Sequence, residues 1–162
     1  MRQPRSFAGV AALVLLAACD LSTSPNVPAP IDPAQDSYAS SLGIDISTMT
    51  KLPNGVYIKD KTVGTGTAAA ANDSVQINYT GWLPNGTMFD TSKQSGRVPL
   101  EFVVGKNVYI PAFEASVIGM QPGGVRQVII PTGLAYGASG FPQAGIPANT
   151  NLVFQIEYIT RK

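Results

Sequence analysis

The sequence predicts an α+β domain: an antiparallel β-sheet with one short helix lying across its concave apolar face. Three observations predict it. From Lys51 onward, short runs of two-residue alternation recur between clusters of Gly, Pro and Asn, the pattern of strands joined by turns. The alternating partners are polar, which implies antiparallel strands with one dry and one wet face. The segment Ile110–Met120 stands out with apolar residues at helical spacing.

Each element follows from its residues. Gly55–Lys59 reads as a strand. Val75, Ile77 and Tyr79 alternate with Gln76, Asn78 and Thr80. Leu100, Phe102 and Val104 form one face of the next run, and Val125–Ile130 is a β-branched run. Leu152, Phe154, Ile156 and Tyr158 alternate with Val153, Gln155, Glu157 and Ile159. In the helical segment, Pro111 suits the first position, where its missing N–H would be unpaired anyway. Phe113, Val117 and Met120 then share one face at i, i+4 and i+7. Gly119 and the Pro122-Gly123-Gly124 turn stop the helix. LPNG occurs at Leu52–Gly55 and again at Leu83–Gly86. The flanks do not match, so the repeat is reused turn chemistry rather than duplication.

Composition bounds what the 162 residues can do. With 44% hydrophobic and 13% charged residues the chain can build a real core. Residues 1–18 carry Arg2 and Arg5 and no acid. Their removal leaves nine bases against ten acids, turning a net charge of +1 into −1. A near-neutral chain without a basic stripe argues against nucleic acid as partner. There is no histidine, which counts against triad hydrolases and most zinc enzymes. No metal site and no cofactor are expected.

The N-terminus reads as an export signal. Two arginines precede the apolar run Phe7–Ala18, which is too short to span a bilayer as a stable helix. It ends in LAAC, Leu16–Cys19, which resembles the bacterial lipobox and implies cleavage before the sole cysteine, with lipid on Cys19. Asp20–Ser37 is rich in Pro, Ser, Ala and Asn without periodicity, and Tyr38–Met49 carries only a weak signal for a short helix or turn. The expected organisation is therefore a signal peptide over 1–18, a lipidated cysteine and linker over 19–50, and a globular domain over 51–162. The expected location is the cell envelope, lipid-anchored and facing the periplasm.

From about Leu52 onward the chain resembles the FKBP-type peptidyl-prolyl isomerases. The resemblance rests on six segments in order: VQINYTG (Val75–Gly81), G-x-x-FD (Gly86–Asp90), FVVGK (Phe102–Lys106), Ile110–Met120, IPTGLAYG (Ile130–Gly137) and GIPANTNLVFQIEYI (Gly145–Ile159). It implies a strongly twisted sheet wrapped around the short helix. It also implies a pocket floored by Phe113, where many relatives have Trp, with Tyr79, Phe89, Phe102, Ile110 and Phe154 as apolar walls. Tyr109 stands where Val is more usual, and Leu100 replaces a common aromatic. Tyr136 matches the tyrosine whose hydroxyl reaches a ligand carbonyl, and Asp90 the acid near that carbonyl. Phe141 matches a rim position loosely, because its loop carries an extra residue before Gly145. In relatives an arginine a few residues on often holds the acid; here Arg97 is seven residues on, and the sequence leaves that pairing open.

Read from the residues alone, Phe102 and Phe154 are core positions first, Asp90 suits a solvated turn, and Tyr79 suits a strand. The resemblance raises Asp90 and Tyr136 to catalytic candidates. It implies a rotamase acting on proline-containing polypeptides, sensitive to macrolides of the type this family binds. The alternatives are a non-catalytic proline-binding or chaperone module, which the same aromatics would serve, and a tethered envelope spacer, which would need no cleft.

Overall fold

The structure, a computed structural model, describes residues 27–162. The expected signal peptide and Cys19 lie outside the described residues. Seven strands form one antiparallel sheet: β1 (Thr50–Lys51), β2 (Tyr57–Thr62), β3 (Ser74–Trp82), β4 (Met88–Thr91), β5 (Leu100–Val103), β6 (Val125–Ile130) and β7 (Leu152–Arg161). Their order is β1-β2-β6-β7-β3-β4, with β5 also on β3. One edge of β3 is therefore shared: Ser74–Ile77 pairs with β5, and Thr80–Trp82 with β4.

The expected strands are all present. The strand predicted at Gly55–Lys59 runs instead from Tyr57 to Thr62, and β1 and β4 are additions. Both LPNG turns fold alike. Gly55 N–H donates to Leu52 O at 2.8 Å and Gly86 N–H to Leu83 O at 2.9 Å. Asn54 and Asn85 each accept from the amide two residues on. The two glycines have φ of +91° and +89°, a conformation costly for any residue with a Cβ.

The helix α1 spans Pro111–Ala115, shorter than the periodicity suggested, and the chain continues as turns to Gly119. Phe113, Val117 and Met120 nevertheless all point into the core. The buried Arg126 accounts for the stop. Its guanidinium donates to the carbonyls of Ser116 and Ile118, both at 2.9 Å, satisfying acceptors that a longer helix would have paired itself. Asp60 holds the same guanidinium from the other side at 2.6 Å.

Two layers of core result. Val75, Ile77, Val128, Ile130, Leu152, Phe154, Ile156 and Tyr158 face α1. Tyr57, Ile129 and Val153 point the other way and are equally buried. This corrects two expectations. The second face of the sheet is not simply wet, and the described part of the expected linker is not free. Tyr38, Leu42, Ile44, Ile46 and Met49 pack over that face in a strap of three short 3-10 turns. Gln127 Nε2 donates to Leu42 O at 2.8 Å, and Ala39 N–H donates to Pro84 O at 2.8 Å. Coverage on both sides explains why β6 reads as an unbroken apolar run at Val128–Ile130.

Candidate active site

The cleft opens where α1 meets the concave side of β3, β4 and β7. Its cavity of about 410 Å³ is lined by Tyr79, Phe89, Asp90, Leu100, Val108, Tyr109, Ile110, Phe113, Tyr136 and Phe154, a volume suited to a small apolar ligand group. Phe113, projected inward by the first turn of α1, is the hub. Its ring lies 4.9 Å from Phe154 and 5.5 Å from Tyr79, the latter edge-on at 73°. Phe89 meets Phe154 edge-on at 5.6 Å and 87°. Such edge contacts are favoured over face-to-face stacking by the ring quadrupoles. Gly81 is required by this packing: a Cβ there would sit 2.6 Å from Phe89 and 2.8 Å from Phe154.

One acid enters this apolar cavity, and its oxygens are engaged. Asp90 Oδ2 accepts from the Tyr79 hydroxyl at 2.5 Å. Its Oδ1 accepts from Arg97 at 2.6 Å and from the Thr91 N–H at 2.9 Å. The pairing the sequence left open is formed, because a turn closed by Arg97 N–H donating to Gln94 O folds the intervening residues back. Arg97 also donates to Thr91 O. Burial and then the Asp90 hydrogen bond push the Tyr79 hydroxyl well above the ordinary tyrosine range. Burial and then the Asp90 charge raise Tyr136 as well. Both hydroxyls are therefore neutral donors around neutral pH.

The structure brings most of the expected residues together. Tyr79, Phe89, Asp90, Tyr109, Ile110, Phe113, Tyr136 and Phe154 all line the cavity. Phe102 does not. It is buried one layer behind, edge-on to Tyr109 at 5.8 Å and 6.3 Å from Phe113. Phe141 is also outside the lining and half-exposed, stacked on Tyr136 at 5.1 Å and 16°, where it supports that ring from outside. Leu100 and Val108 complete the wall.

A further residue, Glu114, was missed by sequence reasoning. It is fully buried, and its carboxylate accepts from Gly105, Asn107 and Tyr109 N–H at 3.0, 3.0 and 2.8 Å. These bonds hold the Gly105–Ile110 loop, including Asn107 at φ +57°, against the helix that carries Phe113. The wall at Val108, Tyr109 and Ile110 is thereby positioned. The only signal in the sequence was an acid on the buried side of a helix, beside Phe113. Among the described residues there is no cluster of three or more His, Cys, Asp or Glu that could hold a metal ion.

Fold and cleft together define a class of domain that encloses an apolar group beside one clamped acid. The comparisons name that class. Residues 65–159 match the family described as FKBP-type peptidyl-prolyl cis-trans isomerase. An FK506-binding protein 4 of Gibberella zeae is 40% identical over 116 residues, covering 72% of this chain and 23% of that protein. A peptidyl-prolyl cis-trans isomerase of Pseudomonas syringae has a solved structure that is 33% identical with a TM-score of 0.62, covering 71% of this chain and 81% of that one. FkpA of Escherichia coli is 32% identical with a TM-score of 0.64, covering 76% and 55%. The chain belongs to the FKBP-type peptidyl-prolyl cis-trans isomerase family. It spans about a quarter of the length of the curated relatives it matches.

Proposed function

We propose that this chain accelerates cis–trans rotation about X–Pro bonds of exported or envelope polypeptides, without covalent chemistry or proton transfer. The observation that carries this reading is the aromatic cavity with a single acid already held by Tyr79 and Arg97. Rotation must break amide resonance, a barrier of roughly 18–20 kcal/mol. Water stabilises the planar, charge-separated amide better than the twisted one. A cavity walled by Tyr79, Phe89, Phe113 and Phe154 withdraws that stabilisation from a prolyl ring seated on Phe113. Tyr136 and Ile110 line the cavity, and in this reading the Tyr136 hydroxyl and the Ile110 N–H hold the carbonyl as it turns. Asp90, its oxygens engaged, acts through its fixed charge and by orienting Tyr79.

The test is a coupled isomerisation assay on X-Pro peptides with the purified chain, with an FK506-type macrolide as competitor. Acceleration that the macrolide abolishes is expected. Exchange no faster than buffer in a folded sample would sink the enzyme reading and favour a non-catalytic proline-binding module.

The location belongs to the same proposal. Arg2, Arg5, the short apolar run and LAAC support export, lipid attachment at Cys19 and work at the periplasmic face of a membrane. Among the described residues no helix is long and apolar enough to cross a membrane.

A further inference from the structure

The strap does more than cover the outer face of the sheet. At its start, residues 28–36 are bonded to the two asparagines that flank Thr150, and those asparagines are bonded to the loop that carries Tyr136. Asn151 is fully buried. Its Oδ1 accepts from Thr132 N–H at 3.0 Å, while its Nδ2 donates to Ile31 O at 3.0 Å and to Asp36 Oδ2 at 2.8 Å. Asn149 repeats the arrangement. Its side chain donates to Pro28 O at 2.6 Å, and its N–H donates to Gly137 O at 2.7 Å, next to Tyr136. The loop from Thr132 to Gly137 is thus tied at both ends to residues that also grip the strap.

We infer that residues 28–36 brace the Tyr136 loop through Asn149 and Asn151, making Asn151 a positioning residue for the cleft and the strap a working part of the site. Three features carry this. The loop has little regular structure of its own, two short 3-10 turns at Thr132–Leu134 and Gly137–Ser139, so its placement depends on side-chain ties. Asn151 satisfies partners on both sides at once, and an amide is the side chain that can accept and donate in opposite directions. The matched family region begins at residue 65, so the brace is supplied by chain preceding that region. The inference rests on the isomerase reading for its catalytic consequence, though not for the brace itself.

The experiment uses the full chain with Asp36→Ala and Asn149→Gly. Each removes one strap-side partner, and a glycine accepts the φ of +52° that Asn149 adopts. Asn151→Ala strips both sides and risks the fold, so it is the third variant rather than the test. Amide exchange should quicken at Thr132, Leu134 and Ala135 while Val128 and Phe154, in β6 and β7, keep their protection. KM should rise and kcat/KM fall roughly three- to tenfold, as expected when a contact group loses its position. Unchanged loop exchange, or exchange that quickens equally throughout the sheet with KM unchanged, would overturn the brace. If the wild-type chain turns over no prolyl peptide, the isomerase reading fails separately. Exchange then decides the brace alone: selective loss in the loop supports it, and uniform or absent loss defeats it.

Discussion

Tyr79 donates its hydroxyl to Asp90 across 2.5 Å, and Arg97 grips the other carboxylate oxygen at 2.6 Å. The acid is therefore anchored through both oxygens, and the tyrosine is oriented by it. Hydrogen bonds to charged groups contribute about 1.5–3 kcal/mol; partial exposure of this pair places it at the lower end. Tyr79→Phe should leave the fold intact and lower kcat/KM by roughly tenfold for a loss of ~1.4 kcal/mol. A peptide assay beside a thermal melt checks both. A Tyr79→Phe variant as active as wild type would show that the hydroxyl Asp90 orients takes no part in turnover.

Phe113 stands at the junction of core and cleft. Phe113→Ala should cost roughly 3–5 kcal/mol of stability, the range for a deleted buried aromatic, and remove macrolide binding in the fraction that stays folded. Urea denaturation gives the first number and calorimetry of the folded sample the second. Retained tight binding would move the pocket floor elsewhere.

Glu114→Gln keeps one acceptor and turns an NH₂ group toward backbone N–H donors. A buried donor left unsatisfied costs about 1–3 kcal/mol. Faster amide exchange at Gly105, Asn107 and Tyr109 is expected, with weaker ligand binding, because the wall at Val108–Ile110 loosens. Exchange unchanged at these three amides would show that the loop holds itself.

No group at the site is required to change protonation, and there is no histidine. The rate should be flat between roughly pH 6 and pH 9. Tyr79 and Tyr136 hold their protons more tightly in the folded chain than the ordinary value of 10.0. Their stabilisation is therefore complete below that value and is lost as pH rises from it through their folded values. Denaturant midpoints should fall from about pH 10 upward, and this alkaline loss should shrink in Tyr79→Phe. A bell-shaped rate profile near neutrality would contradict the mechanism.

Cells fed a clickable fatty acid should label the wild-type chain, which should sediment with membranes, while Cys19→Ser should do neither. Two or more acyl chains are expected on Cys19, since a single chain gives only marginal binding. Equal labelling of both proteins would refute the anchor.

The sheet was legible because alternation exposes which residues face inward, whereas the cleft was legible only through the family resemblance, since alternation alone leaves Phe154 in the core, Tyr79 in a strand and Asp90 in a solvated turn. Phe113, Val117 and Met120 declared their shared face although the helix proved short, since the turns that follow Ala115 keep the same side inward. The strap was hidden by its prolines and serines. Its apolar residues, Tyr38, Leu42, Ile44, Ile46 and Met49, fit neither a helical nor a strand period because they are spread over short 3-10 turns and the irregular links between them. Glu114 and Asn151 were equally hidden. Their roles lie in backbone groups brought near by the fold, and side-chain pattern carries no trace of those.

The divided edge of β3 has a consequence for life among unfolded chains. A protein that handles extended polypeptide invites them to add as extra strands, and strand addition needs a long, straight row of unpaired backbone groups. On one side this sheet ends in the two residues of β1 and the stretch Lys59–Thr62 of β2 that β1 leaves uncovered. On the other it ends in two four-residue strands, with Ser92 bonded into the gap between them at Tyr79. Both borders are short and interrupted, which leaves little continuous backbone for another strand to pair with, so crowded copies have little purchase on one another.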